Sequence, residues 1–82
     1  MTTHERISAI ADCQNQVAIN RKLIVDNDTR VKELWHQIKD FTNTSHGEAE
    51  RVGGIIRGLR KENELIEKQI ALLNHKLNNL NK

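Results

Sequence analysis

Eighty-two residues, 37% apolar, with one Trp, one Phe and no Tyr, make one small domain whose own core is thin. Thirteen basic against eleven acidic side chains leave a net charge of +2, too balanced for a protein that lives mainly on nucleic-acid affinity. A single cysteine, Cys13, excludes an intrachain disulfide, and no apolar run approaches the roughly 18 residues that span a bilayer.

The chain has no proline, and its four glycines lie between positions 47 and 58, so long helices are allowed almost everywhere else. Thr2 and Glu5 fit a capping box, which opens a first helix over about 3–42. Within it Ile10, Val17, Ile24, Val31 and Ile38 recur every seven residues. Ile7, Gln14, Arg21, Asp28, Trp35 and Thr42 are taken as the companion positions, giving a seam apolar at both ends and polar in the middle. Ala11, Ala18, Val25, Leu34 and Phe41 broaden that seam. The run Asp26-Asn27-Asp28-Thr29 is rich in residues that prefer caps and turns, and it marks a candidate kink. The seven-residue phase nevertheless passes through it without a shift, which favours a continuous helix.

A short polar connection, 43–45, follows, and Ser45 with Glu48 repeats the capping pattern. The second helix then runs over about 46–80. Val52, Ile56, Leu59, Asn63, Ile66, Ile70, Leu73, Leu77 and Leu80 form its heptad seam, broken once by the asparagine. A stripe this narrow cannot stabilise a lone helix in water, so it must face a partner. One polar residue in such a seam sets register at some cost in stability. The expected fold is all-α: an α-hairpin or bent helix pair with a coiled-coil second helix, assembled into a homo-oligomeric bundle. Pairing direction stays open: Ile at a with Leu at d favours parallel strands, but Glu62 would then face Glu67 of the partner. On this reading Leu59→Asp or Ile66→Asp dissociates the oligomer.

The densest candidate site is the stretch from Arg51 to Lys61. Arg51, Arg57, Arg60 and Lys61 occur there with no acid between Glu50 and Glu62. Gly54 and Gly58, four apart, share a helical face on which a backbone or a flat ligand can come close. Two readings stand: the glycines admit helix 1 in tight packing, or the arginines clamp a phosphate or carboxylate beside them. No Gly-Lys-Ser/Thr follows and no strand precedes, so the stretch is not a P-loop. Trp35 and Phe41 form an aromatic end to helix 1, as a core residue or as an anchor for a partner protein.

Enzyme chemistry has little support. Cys13 has no histidine at helical spacing, and histidines 4, 36, 46 and 75 show no zinc pattern. No catalytic residue, metal site or cofactor is therefore expected. The carboxylates at 48, 50, 62, 64 and 67 read as a solvated face. Both aromatics lie away from the basic stretch, so nucleic-acid stacking is not indicated either. Without a basic-then-apolar leader at the N-terminus, the chain reads as cytoplasmic.

In length and layout the chain resembles the cytoplasmic antiholins of T-even phages, the lysis-inhibition accessory proteins. The stretches Asn20-Arg21-Lys22-Leu23-Ile24 through Leu34-Trp35 and Gly54-Ile55-Ile56-Arg57-Gly58 prompt the comparison. The resemblance implies binding to the cytoplasmic segment of a holin, which would delay the membrane hole that starts lysis. Membrane contact would then be indirect, through that partner, and no binding residue carries over. The leading expectation is a non-enzymatic, self-associating interaction protein that regulates a partner protein. The alternatives are an oligomer that sequesters an anionic small molecule such as a nucleotide signal, and a nucleic-acid-binding accessory protein.

Overall fold

The computed structural model describes residues 2–40 and 46–81, without the side chains of Lys39, Asp40 and His46. Two helices account for nearly all of them: α1, Thr3–Asp40, and α2, His46–Leu80. They pack against each other as a helical hairpin. The molecule is a rod of 63 × 15 × 13 Å with a radius of gyration of 18.6 Å. A chain of this length folded into a ball would have a radius of gyration of about 12 Å. The long axis is close to the ~57 Å that the 38 residues of α1 span at the α-helical rise.

The start of α1 is capped as the spacing predicts, with the backbone N–H of Glu5 donating to Thr2 Oγ1 at 3.2 Å. The helix then passes through Asp26–Thr29 without a break. Its polar side chains there have other uses than capping. Asn27 Nδ2 donates to Asn63 Oδ1 at 2.9 Å, and Asn63 Nδ2 donates to Asp28 Oδ1 at 3.0 Å. Thr29 donates its hydroxyl back to the Val25 carbonyl at 3.0 Å, a bond that leaves the helix intact. Side chains that would otherwise compete for the backbone are thus occupied across the helix pair or within the turn.

The buried face of α2 is the predicted stripe: Val52, Ile56, Asn63 and Ile66 are buried, and Leu59, Ile70, Leu73, Leu77 and Leu80 are partly so. In the chain that stripe faces α1. Val52 and Ile56 join Val31 and Leu34 in the core cluster, with Ile38 and Leu59 packed against it. An aspartate at Ile66 would therefore strike the fold of the single chain before any contact between chains.

On α1 the companion positions require a correction. Ile7, Gln14, Arg21, Asp28 and Trp35 are exposed, while Cys13, Asn20, Asn27 and Leu34 are the buried or part-buried partners of the seven-residue series. The helix surface between Ile10 and Val17 is covered by a residue three on from the first, not four. The expected set lies one residue further round the helix, on its flank. Cys13, at 3% exposure, is a small hydrophobe of the seam rather than a reactive thiol at the surface.

Candidate functional site

The Asn27–Asn63 pair marks the antiparallel register of the two helices, from which the levels of other positions along the rod follow. Six residues towards the chain ends, positions 21 and 69 stand level. There the hairpin opens into a groove of about 400 Å³, lined by Gln16, Ile19 and Asn20 of α1 and Gln69, Leu72 and Leu73 of α2. Its rim is apolar and exposed, with Leu72 at 71% and Ile19 at 61%. Leu23, four residues beyond Ile19, and Leu65, seven before Leu72, extend the same side, and both are exposed. A clustered set of exposed Leu and Ile is the informative kind of surface; scattered ones are ordinary. Sequence reasoning missed this patch because its members sit off the seam. The signal available was that Leu65 and Leu72 repeat at seven residues outside the nine seam positions.

The Arg51–Lys61 stretch lies on α2 with its cations outward. Arg51, Gly54, Arg57, Gly58, Arg60 and Lys61 are all exposed. No described side chain of α1 comes within 4 Å of a Cβ built on Gly53, Gly54 or Gly58. Tight helix packing is therefore not what they serve, which corrects the first of the two readings. The near neighbour is their own helix's arginine. A Cβ on Gly53 would stand 3.7 Å from Arg57 Nη1, and one on Gly54 would stand 3.9 Å from Nη2. The guanidinium lies along a shallow strip of bare backbone one turn before its own Cα. Those distances are ordinary contacts, so alanine fits at all three positions. Gly58→Ala is expected to raise unfolding stability by about 1 kcal/mol, the helix-propensity difference, in urea titrations followed by circular dichroism.

Trp35 is 50% exposed, on the flank of α1 rather than in the seam, where Leu34 fills the core instead. Phe41, the other aromatic, lies outside the described residues. The ion pair between Arg30 and Glu33, 3.6 Å across one turn of α1, is solvent-exposed and worth no more than about 0.5 kcal/mol. Among the described residues no group of three or more His, Cys, Asp or Glu is placed to hold a metal ion. None of the described helices is long and apolar enough to cross a membrane.

Comparison with known proteins adds no identity. No family model, curated protein or solved structure matches the chain. What it can do chemically rests on its own surface: an apolar groove on one side and a basic, glycine-bearing strip on α2.

Proposed function

We propose that this chain is a non-enzymatic helical interaction protein that self-associates and regulates a partner protein by binding it. The observation that carries this reading is the exposed groove around Ile19 and Leu72 on a two-helix rod. Apolar surface of that kind is a cost in water unless something covers it. In the finer form of the reading, the heptad stripe of α2 is one half of an antiparallel coiled coil closed by α1. That seam is then spent inside the hairpin, and the oligomer forms through the remaining apolar surface. The resemblance to phage antiholins makes the cytoplasmic segment of a holin the first partner to try. Native mass spectrometry of protein purified straight from the expressing host tests the reading. A clean oligomer that takes up a purified holin segment supports it, whereas a monomer that binds neither itself nor the segment overturns it.

The exposed basic strip supports a second reading, in which an oligomer sequesters an anionic small molecule at Arg51, Arg57 and Arg60. An added mass on the native oligomer, lost in Arg57→Glu with helicity unchanged, is the expected result. Unchanged nucleotide affinity of Arg57→Glu in isothermal titration would remove this reading.

A further inference from the structure

Resting on the self-association reading above, we infer that the groove side of the hairpin is covered by the same side of a second copy. In that dimer α1 lies antiparallel to α1 and α2 antiparallel to α2.

Surface area is the first observation. The chain exposes 6454 Å². A compact monomer of 9.5 kDa exposes about 5,000 Å². The excess, roughly 1,400 Å², is more than the ~800 Å² that each partner contributes to a standard interface. Of the eight large hydrophobics exposed among the described residues, Ile19, Leu23, Leu65 and Leu72 lie together on this side, while Ile7, Val25 and Trp35 lie elsewhere on α1.

Charge order along that side is the second observation, and it selects the occupant. Position 21 is midway between Ile19 and Leu23, and Gln69, level with it, lies among Leu65 and Leu72. Asp12 is seven residues before Ile19 and Arg30 seven after Leu23, so both share the apolar face and stand nine residues either side of 21. Glu62 and Lys76 stand seven residues either side of Gln69. A two-fold axis across the rod at this level brings Asp12 opposite Arg30 of the second copy. The same axis brings Glu62 opposite the second copy's Lys76. Ile19 meets Leu23, Leu65 meets the Leu72–Leu73 turn, and Asp26 meets the neutral Gln16. No like charges oppose one another, and every ionic pair is made twice, as an isologous contact requires. Arg30 would turn from its weak exposed pairing with Glu33 to Asp12 across the interface. A foreign helix would have no reason to find this antisymmetric pattern on its target.

The test combines sedimentation equilibrium with cysteine cross-linking on the full chain. The expected result is a dimer in which Leu72→Asp raises the dissociation constant at least about 100-fold at unchanged helicity. Asp12→Arg weakens the dimer about 10-fold or more, and Asp12→Arg with Arg30→Asp restores it. Gln69→Cys, at the axis, oxidises to a covalent dimer, whereas Lys61→Cys does not. The native Cys13 is buried and leaves the background silent. A dimer indifferent to Leu72→Asp, with no cross-link through Gln69→Cys, overturns this face while leaving self-association standing. A monomer at every concentration overturns both, and leaves the groove to a foreign helix.

Discussion

Leu34→Ala is expected to unfold a large share of the protein at room temperature. Leu34 is 2% exposed, the lowest value in the core, and packs with Val31, Val52 and Ile56 where the two helices meet. Truncating a leucine in such a place costs about 2–5 kcal/mol, part from lost burial and part from the cavity left behind. A domain of this size has about 4–12 kcal/mol in total. A two-helix rod has no third element to collapse onto the cavity, which puts the cost towards the upper end. Circular dichroism in urea should show the midpoint falling by at least a third. Trp35→Ala, one residue away but half exposed, should lower the unfolding free energy by less than about 1 kcal/mol. If the two substitutions cost the same, the assignment of Leu34 rather than Trp35 to the seam is wrong.

The second large effect concerns the polar layer. Asn63, 9% exposed, is the buried polar residue of the core, and each of its amide atoms has a partner, Asn27 for the oxygen and Asp28 for the nitrogen. Asn63→Leu alone leaves the part-buried Asn27 amide facing a leucine, which should cost about 1–2 kcal/mol. Replacing Asn27 and Asn63 together with leucine removes the unpaired Asn27 amide, leaves the exposed Asp28 carboxylate to water and adds apolar contact. The double variant should be more stable than the parent by about 1–3 kcal/mol. A double-mutant cycle with a coupling energy above about 2 kcal/mol would establish the pair, and simple additivity would refute it. The layer also carries specificity. Seven residues before Asn27 and Asp28 stand Asn20 and Arg21. Arg21 has only donors to offer the Asn63 nitrogen, where Asp28 accepts. With both asparagines gone, chains that pair outside the hairpin lose the reason to prefer one register. Native mass spectra of the double variant should then show a mixture of assemblies.

These two cases mark how far the chain was legible. The helical stripe of α2 could be read because nine positions, all but one apolar, repeat at three and four residues over a stretch free of proline, and the repeat of Leu65 and Leu72 beside it is too short to compete. On α1 the recurrence of Ile10, Val17, Ile24, Val31 and Ile38 was equally plain, but its companions were not. Ile7 and Trp35 are larger and more apolar than Cys13 and Asn27, so composition pointed to the wrong flank. The right set contains two asparagines, which look like surface until Asn63 stands opposite one of them. In the Arg51–Lys61 stretch the glycines suggested a close helix; the neighbour proved to be the arginine three or four residues on.

Local physics, acting through period, capping and the absence of proline, determined that this chain makes two long helices and which stripe of α2 is buried. Its composition also determined that a single copy has a thin core. Only the tertiary structure decided which flank of α1 closes the seam, where Asn63 finds its partners, and that Ile19, Leu23, Leu65 and Leu72 share one open side. Those outcomes depend on residues far apart in the chain, up to 36 positions for the Asn27–Asn63 pair, and a helical period carries no information about what will stand across from it.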